Sequence, residues 1–144
     1  MGVCVFCSIA AHETPAQVVF EDHHTVAFLD HRPLFAGHCL LIPRTHFAAL
    51  GDLPQGLLDT LWRNAQHLNS GVERAMEAQG TFVAVNNKVS QSVPHFHIHV
   101  VPRRRKDGLK GFFWPRRPYR DEAEMTRVAE LIRRALERSR PPGQ

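Results

Sequence analysis

The sequence His95-Phe96-His97-Ile98-His99-Val100-Val101 alternates polar with apolar residues and ends in β-branched ones. This period of two predicts a β-strand, because successive side chains of a strand point to opposite faces of the sheet. The three histidines would then share one face, about 6.5–7 Å apart along the strand. A solvated strand face normally carries Thr, Lys or Glu, so three aligned imidazoles indicate a metal site or a catalytic histidine cluster.

Length and composition predict one globular domain. The chain has 144 residues, 43% of them hydrophobic and 22% charged, which is ordinary for a protein with its own core. We expect a single domain over residues 1–140 and a frayed tail over residues 141–144, which read Pro-Pro-Gly-Gln. The net charge of +4 suits an anionic partner such as a nucleotide, a nucleic acid or an acidic lipid, without selecting among them.

The N-terminal sequence bears on compartment and on metal binding. It lacks the pattern of a signal peptide, and no apolar run is long enough to cross a bilayer, so we predict a cytoplasmic protein without a membrane partner. In a reducing compartment, the Cys4-x-x-Cys7 spacing indicates metal binding or redox chemistry rather than a disulfide framework. One such pair supplies only two zinc ligands, so it needs two partners from elsewhere in the chain.

The remaining patterns predict an α+β fold with a five-stranded antiparallel sheet, one long central helix and a C-terminal helix. The other predicted strands cover residues 17–21, 25–29, 38–42 and 81–85. The long helix would begin at an Asp52 N-cap and stop at Gly80, and the last helix would begin near Asp121. One face of the sheet would be covered by the long helix, and the other would need a partner surface or would carry the site. Cys39 is expected in the core and His67 on the surface.

The histidine strand fits the H-φ-H-φ-H-φ-φ signature of the histidine triad (HIT) superfamily at every position, φ being an apolar residue. Gln91-Ser92-Val93 before it and Gly37-His38-x-Leu-x-Ile-Pro43 upstream also resemble that superfamily. The resemblance covers residues 3–102 and is strongest to the small branch of nucleoside phosphoramidases and dinucleoside polyphosphate hydrolases. It implies a HIT-like fold, a homodimer and a purine nucleotide substrate.

The resemblance also implies roles for the catalytic histidines. His97 would attack the α-phosphorus to give a nucleotidyl-histidine, from which water releases a nucleoside monophosphate. His99 would hold a phosphate oxygen or give a proton to the leaving group. His38 would offer its backbone carbonyl to the other ring nitrogen of His97, and His95 completes the catalytic set.

For the substrate, the resemblance implies that Gln91 and Ser92 contact the bridging or leaving-group atom. Asn86 would contact the α-phosphate, because neutral donors suit a site where negative charge develops. Asp30 would accept the ribose hydroxyls. Phe6 and Phe28 would flank the base. Core packing remains an alternative for the two phenylalanines, and a turn role an alternative for Asp30.

Many bacterial relatives carry a zinc ion, and the matching residues are Cys4, Cys7, His46 and His95. Two Cys and two His form a closed tetrahedral set, which is typical of a structural zinc, so the chemistry itself would need no cofactor.

Two other functions stay open. The triad itself could be a catalytic zinc site with three histidine ligands and an open position. Alternatively, the basic runs 103–106 and 116–117 and the aromatic cluster 112–114 could bind nucleic acid, which as a sole function we do not expect. Trp114, within that cluster, loosely resembles a C-terminal Trp that reaches the site of a dimer mate in some relatives.

Overall fold

The computed structural model describes residues 2–110 and 116–138. They fall into two compact units, residues 1–107 and 108–144. The first holds every strand and the first two helices: α1 (Val5–Ala10), β1 (Val18–Glu21), β2 (Thr25–Leu29), β3 (Cys39–Pro43), α2 (Gln55–Ala75), β4 (Gly80–Ala84) and β5 (Ile98–Arg103). The second contains α3 (Glu122–Arg138). The aromatic cluster 112–114 and the predicted frayed tail 141–144 lie outside the described residues.

The strands form one five-stranded sheet in the order β1-β2-β3-β5-β4, with every neighbouring pair antiparallel. The predicted α+β fold with an antiparallel sheet is therefore confirmed. Strand β5, which carries the last triad histidine, lies between β3 and β4, with His99 opposite Leu40 and Ala84. The triad thus ends inside the sheet rather than at its edge.

The histidine strand begins later than its sequence pattern predicts, at Ile98 rather than His95. The Phe96 N–H donates to the Phe47 carbonyl at 2.6 Å, and the His95 N–H donates to the Val93 carbonyl at 2.8 Å. Residues 95–97 are therefore held by loop contacts and not by a strand ladder. The predicted separation of side chains still holds for Phe96, which packs in the same core cluster as Ile98 and Val100.

The two faces of the sheet are covered by different helices. On one face, the stripe Leu61, Ala65, Leu68 and Val72 of α2 packs with the sheet residues Ala27, Cys39, Leu41, Ile98 and Val100, and with Phe96 just before β5. On the other face, α1 packs through Phe6, Ile9 and Ala10 against Val26, Phe28, Leu40 and Ile42. The predicted cover of one face by the long helix is confirmed, as are a buried Cys39 and an exposed His67.

The predicted start of the long helix is wrong. Asp52 ends a separate 3-10 turn over Leu50–Asp52, and its carboxylate accepts the Ala49 N–H at 3.0 Å instead of capping α2. Leu53 is extended (ψ 130°) because the ring of the following Pro54 disfavours a helical conformation there. Helix α2 therefore begins at Gln55 and ends at Ala75, and Gly80, predicted as its stop, is the first residue of β4.

The two terminal helices differ in how well the sequence indicates them. Helix α3 begins at Glu122 as predicted, with the Asp121 carboxylate accepting the Glu124 N–H at 2.7 Å. Helix α1, by contrast, has no predicted counterpart, since its six residues are too few to display a helical period. Within the described parts of the chain, no helix has the length and apolar character that crossing a membrane requires.

Candidate active site and metal site

His97 is held in one tautomer by a main-chain contact. Its Nδ1 lies 2.7 Å from the carbonyl oxygen of His95. Because a carbonyl only accepts hydrogen bonds, Nδ1 carries the proton and the neutral ring leaves Nε2 as an unprotonated nitrogen. The side chain is buried, at 3% exposure, and lines a cavity. A fixed imidazole with a bare Nε2 is the form that a nucleophile needs.

A second chain of hydrogen bonds sets the tautomer of His99. The Leu34 N–H donates to Nδ1 of His38 at 3.1 Å, so neutral His38 carries its proton on Nε2. That Nε2–H donates to Nδ1 of His99 at 2.9 Å, which places the proton of neutral His99 on Nε2. The Nε2 atom of His99 is buried and has no hydrogen-bond partner among the described residues. His99 therefore offers an unsatisfied buried donor, with its ring centroid 4.9 Å from that of His97.

The expected role of the His38 backbone carbonyl is wrong. That carbonyl accepts the Asp30 N–H at 2.9 Å, where the chain passes from β2 into the loop before β3. It is the His95 carbonyl that accepts from His97, because the turn of chain before β5 brings the two residues together locally. His38 acts on the site through its side chain, and on His99 rather than on the nucleophile.

Burial keeps the relay histidines neutral. It lowers the pKa of His99 to about 4, and the neighbouring His97 and His38 rings lower it further against a weaker opposing effect of Asp30. Burial likewise lowers the pKa of His38, although the Asp30 carboxylate opposes the shift. An uncharged His99 donor is therefore the ground state of the site at neutral pH.

His97 and His99 line a cavity of about 750 Å³ on the α1 side of the sheet. Phe6 and Phe28 form an apolar part of its wall, with their rings edge to face at 5.4 Å. Both are buried in the core cluster as well, so the packing and cavity roles coexist. Asp30 and His99 supply polar atoms to the same wall. A cavity of this size with a few convergent polar groups fits a nucleotide-sized ligand.

Asp30 lies at the rim of this cavity with one oxygen engaged locally. Its Oδ1 accepts the Arg32 N–H at 2.9 Å, which is the turn role left open by the sequence. Its Oδ2 lies 3.7 Å from His38 Nε2, too far for a hydrogen bond. Asp30 thus keeps acceptor capacity toward the cavity while it shapes its own turn.

The residues expected near the phosphate are only partly brought together. Ser92 is exposed and lines the cavity. Gln91 uses its amide within the loop, with Nε2 donating to the Ala48 carbonyl and Oε1 accepting the Lys88 N–H. Asn86 is exposed beyond β4 and is not among the described residues of the cavity wall.

Cys4, Cys7, His46 and His95 converge on one point. Their sulfur and Nδ1 atoms all lie within 4.8 Å of one another. Individual separations are 3.4 Å for Cys4 Sγ to His95 Nδ1, 3.5 Å for Cys7 Sγ to His95 Nδ1, and 3.4 Å for Cys7 Sγ to His46 Nδ1. A tetrahedral zinc with bonds of about 2.0–2.3 Å requires ligand separations of about 3.3–3.8 Å.

The protonation pattern also fits a metal. Nε2 of His95 lies 2.8 Å from the Pro43 carbonyl, so it carries the proton and leaves Nδ1 free to face the two sulfurs. Burial raises the pKa of the Cys7 thiol, and the adjacent Cys4 raises it further. A cation is what reverses such a shift and makes both thiolates stable. The donor set fits a closed zinc site.

Asp30, His38 and His99 also place potential ligand atoms within 4.8 Å of one another. His38 Nε2 carries a proton, however, because Leu34 occupies Nδ1. That proton lies between His38 and His99, so neither facing nitrogen has a free lone pair for a metal. This cluster is better described as a hydrogen-bond relay.

Several groups of the site had no signal in the sequence. The segment 14–17 lines the cavity without belonging to any motif. The Leu34 N–H and the Pro43 carbonyl set histidine tautomers through their main chain, which side-chain patterns do not reveal. Only Pro43 stood in a quoted motif.

Comparison with known proteins identifies a matching family model and several relatives. A family model described as HIT domain matches residues 11–106. HIT-like protein MT1300 of Mycobacterium tuberculosis is 35% identical over 138 residues, 92% of this chain and 92% of its own. Adenosine 5'-monophosphoramidase HNT1 of Saccharomyces cerevisiae is 36% identical over 75% of this chain and 68% of its own. Adenylylsulfatase HINT3 of Arabidopsis thaliana is 32% identical over 74% of this chain and 55% of its own.

Solved structures of similar proteins have the same fold as this chain. A HIT family member from Bacillus subtilis superposes with a TM-score of 0.82 at 29% identity, covering 92% of this chain and 96% of its own. A Zn-bound histidine triad family protein from Mycobacterium smegmatis superposes with a TM-score of 0.70 at 34% identity, covering 91% of this chain and 96% of its own.

Proposed function

This chain belongs to the HIT family, and from that premise we propose that it is a nucleotide hydrolase or transferase acting at an α-phosphorus. Its substrate is a nucleoside phosphoramidate or a dinucleoside polyphosphate, and the reaction passes through a nucleotidyl-His97 intermediate. The observation that carries this proposal is the hydrogen bond from His97 Nδ1–H to the His95 carbonyl, which leaves Nε2 bare at the cavity.

In the first step, Nε2 of His97 bonds to the α-phosphorus while the bond from phosphorus to the leaving group breaks, and the leaving group departs with that electron pair and takes a proton from water. The ring gains positive charge as this bond forms. The His95 carbonyl continues to accept the Nδ1–H, and it stabilises that charge without any rearrangement. In the second step, water bonds to phosphorus and releases a proton to solvent, the electron pair of the Nε2–phosphorus bond returns to Nε2, and a nucleoside monophosphate leaves.

Of the two roles expected for His99, its geometry favours the first, which is to hold a phosphate oxygen. Its Nε2–H is buried and unsatisfied, and a phosphoryl oxygen would supply the missing acceptor. Proton donation is less well supported, since the low pKa of about 4 and the relay from His38 both favour the neutral ring. A preset neutral donor toward developing negative charge contributes roughly 10²–10³-fold to the rate.

The rest of the cavity supports a nucleotide. The apolar wall of Phe6 and Phe28 would hold the base, and the free oxygen of Asp30 would accept a ribose hydroxyl. Ser92 would meet the bridging or leaving-group atom. The roles of Asn86 and Gln91 require rotation of their side chains, because Asn86 lies off the cavity wall and Gln91 is engaged in its loop.

A zinc ion held by Cys4, Cys7, His46 and His95 would be structural. With four protein ligands the site keeps no open position, so the metal would fix the N-terminus against the sheet rather than activate water. A cytoplasmic homodimer remains the expected form, and its mass in solution by light scattering tests the oligomeric state.

The geometry weighs against both alternatives. A zinc shared by the three triad histidines needs His95 to face its neighbours, whereas its Nδ1 faces the cysteines. In the basic run, Arg103 pairs with Asp107 at 2.5 Å, and Arg104 donates to the Met76 and Glu77 carbonyls. These two guanidinium groups serve the fold, which leaves less of the run for nucleic acid.

The test is intact mass spectrometry after brief mixing with an adenosine phosphoramidate and, separately, with diadenosine polyphosphates. Wild type should gain the mass of an AMP adduct or release AMP, and His97→Ala should do neither. His23→Ala, in an exposed turn, is the matched control and should behave as wild type. Equal AMP release by wild type and His97→Ala would overturn the proposal.

A further inference from the structure

The backbone that holds the nucleophile lies outside the sheet. Strand β5 begins only at Ile98, so residues 95–97 have no ladder on either side. Their main chain is fixed by two loop contacts, from the His95 N–H to Val93 and from the Phe96 N–H to Phe47. The carbonyl that sets the tautomer of His97 therefore belongs to a residue that the sheet does not support.

The side chain of His95 adds to these main-chain contacts, at both ring nitrogens. Nε2–H donates to the Pro43 carbonyl at the end of β3, and Nδ1 faces the sulfurs of Cys4 and Cys7. The same residue then accepts the Nδ1–H of His97 with its carbonyl. His95 thus connects the metal cluster to the nucleophile. Its side chain belongs to the cluster, and its main-chain carbonyl contacts His97.

Helix α1 makes a second connection. Cys4 immediately precedes it and Cys7 lies within its first turn, so a metal ion bound by both sulfurs would fix its position. Phe6 lies between them, and its ring is edge to face with those of His95 at 5.9 Å and His97 at 5.2 Å. Phe6 also forms part of the cavity wall. A change at the cysteines would therefore displace Phe6, which is both a residue of the cavity wall and a neighbour of the nucleophile.

We propose that Cys4, Cys7 and His46 are positioning residues for the reaction. By holding a metal ion with His95, they fix the His95 carbonyl, and through it the tautomer of His97, and they fix Phe6 in the cavity wall. The role of the cavity as a nucleotide site rests on the proposed function. The effect of the metal on the His97 tautomer does not. Metal binding and nucleotide binding must then favour each other by the same factor, as linkage requires.

Two readouts test this on the full chain. Long-range ¹H–¹⁵N spectra of the imidazoles report the His97 tautomer without any nucleotide. Calorimetry with AMP reports affinity in zinc-loaded protein and in chelator-treated protein that circular dichroism shows to be folded. His46→Ala supplies a second route to low zinc occupancy, because this ligand is exposed and lies outside α1 and the triad.

Zinc is expected to convert His97 from a mixture of tautomers to a single Nδ1–H form. It should also tighten AMP binding by about 5–150-fold, the usual span of coupling between sites. Zinc affinity should rise by the same factor when AMP is saturating. Phe6→Ala should reduce this factor toward one, whereas Val3→Ala, exposed before α1, should leave it unchanged.

An identical His97 tautomer with and without zinc, in folded protein, would overturn the inference, and so would an unchanged affinity for AMP. Neither result would touch the adduct test of the proposed function. Conversely, a zinc-dependent His97 tautomer in a protein that forms no adduct would support the positioning role and refute the proposed function.

Discussion

The Nε2–H of His38 donates to Nδ1 of His99 at 2.9 Å, and this contact decides which nitrogen of His99 carries the proton. His38 can donate only because Leu34 occupies its other nitrogen with a main-chain N–H. Both histidines have lowered pKa values owing to burial, so the arrangement persists in the neutral state. The buried donor on His99 is therefore set by the backbone amide of Leu34, which acts through His38 and does not touch the reacting atoms.

His38→Gln should therefore slow the chemical step without abolishing nucleotide binding. Its flexible amide would no longer fix the His99 tautomer, and we expect kcat to fall about 10²-fold, as for loss of one preorganised donor. Adduct formation in a quenched-flow experiment measures the step, and AMP calorimetry measures binding. His67→Gln, an exposed histidine of α2, is the control. Equal adduct rates in the two variants would refute the relay.

Asp30→Asn should weaken discrimination between ribose and 2'-deoxyribose substrates. Asn keeps an oxygen for the Arg32 N–H, so the turn should survive, but the charged acceptor for the sugar hydroxyl is lost. We expect KM for the ribonucleotide to rise about tenfold, since a hydrogen bond to a charged group is stronger than one to a neutral group. KM for the deoxy analogue should change little. Asp59→Asn, exposed on α2, is the matched control, and an equal rise for both sugars would contradict the role.

The sequence predicted the side-chain arrangement of the triad better than its secondary structure. The period of two correctly separated the apolar residues from the histidines: Phe96, Ile98 and Val100 pack in one core cluster, whereas His97 and His99 line the cavity. It placed the strand start at His95, three residues early, because pairing depends on partners that a single segment does not reveal. Residues 95–97 are instead bonded to Val93 and Phe47.

Two other features of the site needed tertiary structure. Helix α1 is six residues long, and its Cys-x-x-Cys spacing gave no helical period, so its place on the sheet was not predictable. The side-chain role of His38 depends on the Leu34 amide, a group that every residue except proline carries. Motif resemblance identified His38 as a site residue but not which of its atoms acts.

Two glycines should respond oppositely to alanine. Gly37 has φ +93°, and a Cβ there would come within 2.6 Å of Met76 Cγ, so Gly37→Ala should destabilise the fold by at least about 1 kcal/mol. Gly71 lies within α2 with no atom within 4 Å of an added Cβ, so Gly71→Ala should stabilise by about 0.5–1 kcal/mol. Urea unfolding measures both. Destabilisation by Gly71→Ala would show that α2 is packed differently.

Stability should fall in acid partly because of His99. Burial, with the neighbouring His97 and His38, lowers its pKa from 6.5 to about 4 in the folded state, while Asp30 opposes the shift. Between these values the unfolded chain binds a proton at His99 that the folded chain does not. The free energy of unfolding therefore gains a contribution from His99 that is complete above pH 6.5 and is lost as the pH falls toward 4.

His99→Gln, which cannot titrate, should give a shallower decline of unfolding free energy between pH 6.5 and about 4 than wild type. Above that window the two curves should run parallel. His38 and His95 also have pKa values lowered by burial, so the variant keeps part of the slope. Denaturant titrations across the window provide the measurement, and His24→Gln controls for loss of an exposed imidazole. Parallel curves throughout would mean that His99 is protonated in the folded protein as readily as in the unfolded chain, and the neutral-donor role would then have to be abandoned.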